Sequence, residues 1–340
     1  MSQEEKVAVQ SRMKSIDTLF LEERLEESRR IVKMIAAISK KPLIIQFSGG
    51  RDSMAMLGLV QEVTSNFVCA FMATGTEFKE CISFVKETCA NLGVTLIMSN
   101  PSMHKGNIFK RIEQFRCFPG IWGWGNNRKS TALWCCRDLK LRPQKKLLHK
   151  LYGKGTFYKL EGIRMWESSR RRFIYKEVSD VAVREDGEHR GSYEVFPIIN
   201  WTDEDVVNYL EMKGLPTSGL YKRFGVSGCS WCPFYGPDIY RRVLAEMPRH
   251  YDRWIKWEKE LGSPSCTGDI FIGDLKREVL EGVPMPPPGK AADARTPCQM
   301  MFEGQMVPTC SVYGHLFIDG KCYRCDEPEP KEEHGKGNGD

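Results

Sequence analysis

The sequence predicts an α/β fold in which a parallel sheet is covered by helices on both faces. Three observations carry this reading. Strand-like and helix-like segments alternate from residue 43 to residue 98. The strand candidates are short, continuous apolar runs, as strands buried on both faces require. A chain of 340 residues with 41% hydrophobic residues can also bury a sizeable core.

Taken in order, Ile16, Leu19, Phe20, Ile31, Ile35 and Ile38 fall at helical spacing and predict a helix from about Ile16 to Lys40, ended by Pro42. Leu43 to Phe47 reads as a buried strand, Ser48-Gly49-Gly50 as a turn, and Asp52 to Val63 as a helix. Phe67 to Met72, Phe78 to Leu92 and Thr95 to Met98 continue the series as strand, helix and strand. His104 to Arg128 is irregular and aromatic. Trp134 to Tyr152 is helical apart from Pro143, Phe157 to Leu160 is a strand, and Glu161 to Arg172 is a polar loop. Thr202 is placed to cap a helix over Asp203 to Lys213. These elements divide the chain into an N-terminal helical segment (1–40), a large α/β domain (41–260), a Pro-rich linker region (261–297), a small Cys-rich module (298–325) and a polar tail expected to be disordered (326–340).

Composition excludes fibrous, collagen-like and wholly disordered proteins. No apolar run approaches the roughly 18 residues of a membrane helix, and the first ten residues lack the pattern of a signal peptide. The expectation is a cytoplasmic protein with no membrane partner. In a reducing compartment thirteen cysteines point to metal ligands or reactive thiols, not disulfides. The net charge of +6 is unevenly placed: Arg128 to Lys176 holds fifteen Lys or Arg and three acids. Such a stripe suits a polyanionic ligand: nucleotide phosphates, sulfate or nucleic acid.

Phe47-Ser48-Gly49-Gly50-Arg51-Asp52-Ser53, between strand and helix, is the sharpest motif. Two glycines permit a tight turn with backbone N–H groups pointing into one small space, and the helix N-terminus adds its positive dipole. Ser48 and Ser53 offer hydroxyls, and Asp52 can cap the helix or help hold Mg²⁺. This is not a Walker A loop, which needs a Gly-Lys-Ser/Thr ending. It resembles the SGG-K-DS loop of the PP-loop ATP pyrophosphatases, with Arg51 in place of the usual Lys.

Further motifs extend the resemblance, in family order, over about Lys41 to Tyr235. Thr74-Gly75-Thr76-Glu77-Phe78 is similar to the DTG-x-x-F element of the PAPS reductase branch, with Ala73 at the Asp position. Gly162 to Arg170 resembles its G-x-R-x-x-E/Q-S-x-x-R loop, and Phe196 to Val206 its P-I-x-x-W-x-x-x-D-V helix start. The resemblance implies a Rossmann-like fold of the HUP type. It also implies an adenine-nucleotide site formed by Ser48, Gly49, Gly50, Ser53, Thr74, Gly75, Gly162, Arg170 and Lys140, with Arg51, Asp52 and Arg164 in the reacting centre. Arginine forks suit phosphate and sulfate oxygens.

Cys135-Cys136 and Cys229-x-x-Cys232 form a second constellation, since a C-x-x-C places two sulfurs on one metal centre. Four thiolates suit zinc or an iron–sulfur cluster. The CC…CxxC pattern resembles the [4Fe-4S] site of assimilatory adenylylsulfate reductases and of DNA phosphorothioation sulfurtransferases, which favours the cluster. Lys140, Arg137 and Arg142 are placed to offset the thiolates. Cys298, Cys310, Cys322 and Cys325, or His315 replacing one of them, have the spacing of a zinc ribbon.

Sulfonucleotide reductases carry a C-terminal E-C-G-x-H element, which this chain lacks: Cys266 and Cys298 stand in other contexts. The retained SGG-x-DS loop favours ATP with Mg²⁺, cleaved between α- and β-phosphates to adenylate an acceptor that sulfur then attacks. Adenylylsulfate or PAPS reduction is the alternative. ATP sulfurylase-like chemistry is third, with the cysteine quartet against it, and a non-catalytic nucleotide-binding subunit of a defence or modification complex is a reading of a different class, supported by Arg51 and Ala73. The partners expected are an adenine nucleotide, DNA or RNA as acceptor, and a cysteine desulfurase or another sulfur- or electron-donor protein.

Overall fold

The computed structural model describes residues 3–103, 106–119, 134–167, 169–176, 178, 182–187, 189–233, 235–266, 270–284, 300–302, 305–307, 317–318 and 321–322, of which 3–20, 103, 169–170 and 300–322 are described by backbone alone. The chain forms two compact units. One comprises Met1–Arg111 with Trp134–Cys232, and the other Ile112–Leu133 with Pro233–Asp340.

The first unit is built on six strands in the order β3-β2-β1-β4-β6-β5. They are β1 (Leu43–Gln46), β2 (Phe67–Met72), β3 (Leu96–Ser99), β4 (Tyr158–Leu160), β5 (Val183–Glu185) and β6 (Tyr193–Val195). All pair in parallel except β5, which runs antiparallel to β6. The first three strands and the two helices between them lie within a residue or two of where hydrophobic patterning puts them. β1 is central, and Leu43, Ile44 and Ile45 are at most 1% exposed, which is why that run contains no polar residue. The chain leaves β1 toward β2 on one side and later returns as β4 on the other. The turn after β1 therefore sits where the strand order reverses, the place where open α/β sheets bind ligands.

Helix α1 (Gln3–Ile38) is longer than the periodicity predicts, and its buried stripe from residue 21 onward is Leu21, Leu25, Ile31, Val32 and Ile35, while Ile38 is exposed. Polar contacts fix its docking. Ser28 donates to the Pro197 carbonyl at 2.7 Å and accepts from the Trp201 indole at 2.9 Å, and Arg24 reaches Asp205 at 2.6 Å. Helix α2 (Arg51–Val63) has Ser53 to Val60 buried without interruption, so this helix is enclosed on all sides. Helix α3 (Lys79–Asn91) follows β2. Helix α4 (Ile108–Phe115) replaces the irregular segment expected there.

After Cys135-Cys136 the chain departs from simple helix. α5 (Trp134–Cys136) runs into a π-helical turn (Arg137–Leu141) and then α6 (Arg142–Tyr152), with Pro143 tolerated in the first turn of α6. Asp138 is 1% exposed and accepts from Arg111 at 2.5 Å and from Arg137 and Arg142 at 3.1 Å each. Arg137 and Arg142 are thus spent on this carboxylate, whereas the sequence reading aimed them at the thiolates. The polar loop expected over Glu161 to Arg172 contains instead a 3-10 turn (Met165–Glu167) and helix α7 (Ser169–Tyr175). Thr202 caps α8 (Asp203–Met212) in a reciprocal capping box with Asp205, as the sequence indicated. α9 (Gly219–Phe224) completes the unit.

In the second unit, α10 (Pro237–Glu246), α11 (Asp252–Leu261) and α12 (Ile272–Glu281) precede two short hairpins, β7–β8 (Met300–Phe302, Gln305–Val307) and β9–β10 (Phe317–Ile318, Lys321–Cys322). The span 261–297 therefore holds a helix, tied to α10 by Arg241 and Glu278 at 2.8 Å, where a linker was expected. The domain expected over 41–260 also divides at residue 232. The zinc-ribbon reading rests on Cys298, Cys310, Cys322, Cys325 and His315, whose side chains all lie outside the described residues.

One polar pair gives the first unit a pH dependence. His149 and His189 meet Nε2 to Nε2 at 2.8 Å, so one ring must donate and the other accept. His189 is 4% exposed, and burial, followed by the neighbouring His149, holds it down to about 4. A histidine depressed in the folded state contributes stability that is complete above its unfolded value of about 6.5 and is lost as the pH falls toward the folded value. We expect up to about 3 kcal/mol to disappear between pH 6.5 and pH 4. Replacing His189 by Leu should flatten that stretch of the stability curve measured by urea unfolding. An unchanged slope would show that other groups control it.

Candidate active site

The turn after β1 is shaped by its own hydroxyls. Ser48 N–H donates to Ser53 Oγ at 3.2 Å, Ser53 Oγ donates to the Gly50 carbonyl at 2.9 Å, and the two serine oxygens lie 3.1 Å apart. Gly49 adopts φ +77°, and a Cβ there would meet Val85 Cγ2 at 2.9 Å, so the turn demands glycine twice over. Gly50 is less constrained. Its φ is −80°, and its nearest obstacle is the rotatable Ser227 hydroxyl at 3.0 Å. Gly50 is the N-cap of α2 and makes no side-chain cap bond, which leaves the first-turn amides of α2 to a ligand. Arg51 lies over the Tyr221 ring with its guanidinium carbon 4.2 Å from the centroid, and its Nε is buried with no hydrogen-bond partner among the described residues.

The loop after β4 closes on this turn. A Cβ on Gly162 would come within 2.7 Å of the Asp52 backbone and 2.9 Å of the Ser53 nitrogen. Arg164, 3% exposed, donates through Nε to Asp52 at 2.9 Å and through Nη2 to Asp203 at 2.6 Å. Burial works against its charge, and the two carboxylates more than restore it. Arg164 therefore clamps the start of α2 to the start of α8 and holds Asp52 in place. The Asp52 side chain keeps 24% exposure. The side chain of Arg170 lies outside the described residues.

The loop after β2 forms the other wall. Glu77 accepts from the backbone N–H of Thr74 at 2.8 Å and of Gly75 at 2.9 Å, and from the Thr74 hydroxyl at 2.5 Å. This loop pairs with the C-x-x-C segment: Ser230 N–H and Oγ donate to the Thr76 carbonyl at 2.7 and 2.6 Å, and Phe78 N–H to the Gly228 carbonyl at 3.3 Å. Cys229 Sγ consequently sits 3.7 Å from Thr74 Oγ1 and 3.8 Å from Glu77 Oε1.

Cys135, Cys136, Cys229 and Cys232 are all half-buried. The Cys135 thiol is pushed well up, first by its hydrogen bond to Cys136, then by burial and by the charges of Cys136, Cys229 and Cys232. The two distant pairs are thus brought within electrostatic reach of each other. Lys140 is pushed up in turn, foremost by Cys229, against burial, with help from Cys136 and Glu77. A recess runs from Ser48 to Cys229, lined also by Met72, Glu77, Lys140 and Gly228. Among the described residues no three His, Cys, Asp or Glu side chains stand at the spacing of a single ion. Cys69, Cys81 and Cys89 are buried, as expected of core cysteines, and Cys81 donates to the Ser48 carbonyl at 3.5 Å. Sequence reasoning missed Glu77, Tyr221 and Asp138. Glu77 and Asp138 left signals, the first inside the Thr74–Phe78 motif and the second as one of three acids in the basic stretch.

Residues 42–243 match the family described as phosphoadenosine phosphosulfate reductase domain. An uncharacterized protein of Methanocaldococcus jannaschii is 27% identical over 240 residues, covering 68% of this chain and 45% of the relative. Adenosine 5'-phosphosulfate reductase 2 of Bacillus subtilis is 25% identical over 58% of this chain and 74% of its own length. Sulfate adenylyltransferase subunit 2 of Burkholderia lata is 27% identical over 58% of this chain and 67% of its own. The chain spans less than half the length of the first curated relatives it matches.

Two substitutions test this geometry. Gly162→Ala should cost about 1–3 kcal/mol of stability, because its Cβ meets backbone that cannot turn aside. Melting within 1 °C of wild type would contradict the close approach. Tyr221→Leu should weaken adenine-nucleotide binding by roughly 2- to 30-fold, the range of a cation–π contact, whereas Tyr221→Phe should retain it. Equal losses in both variants, measured by calorimetry, would assign the effect to the hydroxyl and not to the ring face.

Proposed function

The chain belongs to the phosphoadenosine phosphosulfate reductase domain family, and on that premise we propose that it uses ATP to activate an acceptor oxygen for replacement by sulfur. The observation that carries this reading is the recess lined both by Phe47 and Ser48, where the chain enters the glycine turn, and by Cys229. The first-turn amides of α2 and Arg51 hold the phosphates, and Asp52, steadied by Arg164, helps place Mg²⁺. The acceptor oxygen attacks the α-phosphorus, the bond to the β-phosphate oxygen breaks, and pyrophosphate leaves. Hydrosulfide, released from the persulfide of a donor protein such as a cysteine desulfurase by a thiol reductant that supplies two electrons, then attacks the activated atom, its carbon or phosphorus to oxygen bond breaks, and AMP departs with the electron pair.

Cys135, Cys136, Cys229 and Cys232 are the residues to hold a [4Fe-4S] cluster. The Cys135-Cys136 pair with the later C-x-x-C supports this choice, through its resemblance to known [4Fe-4S] sites. When bound, the cluster supplies a point of attachment for sulfur or a brace between the two loops. Lys140 offsets the thiolates and keeps a positive charge at the floor of the recess.

The acceptor reading favours nucleic acid. Much of the basic stripe is paired internally, but Lys146 and Lys150, four apart on α6, are exposed on one face. The Burkholderia relative, an adenylyltransferase by name, supports ATP use. The Bacillus relative, a reductase by name, supports the second reading, reduction of adenylylsulfate or PAPS.

Anaerobically prepared protein should contain about four irons per chain and release AMP and pyrophosphate from ATP in the presence of the acceptor. Serine at any of the four ligand positions should lower iron content, and Cys69→Ser or Cys89→Ser should not. Asp52→Ala should reduce turnover more than ATP affinity. Tight PAPS binding with none for ATP would replace this proposal by the reductase reading, and zinc as sole metal would remove the cluster.

A further inference from the structure

The segment after β4 presents a surface that the reaction above does not use. Trp166, in the 3-10 turn, is 50% exposed, and Phe173, on α7, is 73% exposed, the highest value among the large hydrophobic residues described. Rings left this open forfeit the hydrophobic gain of burial. The next aromatic residue, Tyr175, turns inward and is 8% exposed, so the outward pair is not the accident of a wholly exposed helix.

The surroundings of the rings narrow the occupant. Arg172 lies over the Trp166 ring with its guanidinium carbon 4.5 Å from the centroid, and Lys176 Nζ is 5.5 Å from the Phe173 centroid. The nearby acid, Glu167, is taken by Arg171 at 2.5 Å. Arg172 makes no ion pair among the described residues, and 171–173 reads Arg-Arg-Phe. Cations seated beside open rings oppose a purely apolar partner. They complement a ligand that offers flat π faces and negative charges a few ångströms apart. Base-paired duplex shows its bases only as edges in the grooves, so the match is to unpaired bases.

We propose that Trp166 and Phe173 form a stacking platform for single-stranded nucleic acid, with Arg172 and Lys176 engaging the adjoining phosphates. The inference rests on the nucleic-acid acceptor reading and gives it a specific surface: the acceptor strand is unpaired where it enters.

The test uses the full chain and a fluorescently labelled 12-nucleotide single strand, with the matching duplex as comparison. Wild type should bind the single strand more tightly than the duplex. Trp166→Ala and Phe173→Ala should each weaken it by about 5- to 150-fold, the equivalent of the 1–3 kcal/mol measured per stacked base. Trp166→Phe should restore most of the loss. The ring variants should leave the salt dependence unchanged, whereas Arg172→Gln with Lys176→Gln should make it shallower. Equal binding of strand and duplex, or no change in the ring variants, would overturn the platform. ATP cleavage is measured on the same samples. If ATP is cleaved but no strand is held, the platform fails and the activation chemistry stands. If the strand is held but ATP is neither bound nor cleaved, the platform stands and that chemistry falls.

Discussion

A few backbone hydrogen bonds between two loops hold the candidate site together. The chain leaving β2 lays the Thr76 carbonyl against Ser230 and the Phe78 amide against the Gly228 carbonyl. Residues separated by about 150 positions in sequence become neighbours, and the C-x-x-C segment is delivered to the same end of the sheet as the glycine turn. Stacking of Phe78 on Phe224, with centroids 5.1 Å apart, shields this pairing from water. Without it the two cysteine pairs would belong to separate surfaces. Glu77 is then the residue on which both halves converge, since its carboxylate orders the Thr74–Gly75 backbone and faces the Cys229 sulfur.

Much of the sheet was legible because buried strands and enclosed helices leave strong patterns. Leu43-Ile44-Ile45 cannot face water, and the glycine turn after it is a local signal. The cysteine quartet was legible from residue type and spacing. The regions that escaped are those where local pattern loses to tertiary context. β5 and β6 are three residues each, too short for periodicity to register, and are held by pairing and by the buried Lys159–Asp186 contact. α7 begins in a run of arginines that reads as loop. The helix at 272–281 lies where the neighbouring prolines suggested a linker. Arg164 shows the same limit at the level of chemistry. Its motif identified the position, but only the fold shows that two carboxylates occupy the guanidinium.

The basic stripe changes meaning for the same reason. Counted along the sequence it is a block of positive charge. In the fold, Arg137 and Arg142 serve Asp138, Arg164 serves Asp52 and Asp203, and Lys159 serves Asp186. Buried arginine–carboxylate pairs of this kind cost desolvation and return geometry more than stability. Among the described residues, a smaller exposed set remains on α6, on α7 and just after each of them, and those residues, not the total, bear on an outside partner.

The π-helical turn over Arg137–Leu141 has a consequence for how this helix can vary. A π turn accommodates one residue more than the α-helical ladder would, so it resets the rotational phase between the cysteine pair before it and the core-facing Leu148 after it. The two ends of one continuous helix are thereby aimed independently: Cys135-Cys136 toward the partner cysteines, and α6 toward the sheet. Loss of a single residue there would leave a regular and locally more favourable helix, yet it would turn one end by about 100°. Either the thiols or the core would then face the wrong way. The length of the segment is thus as constrained as its buried residues, Asp138 and Leu139.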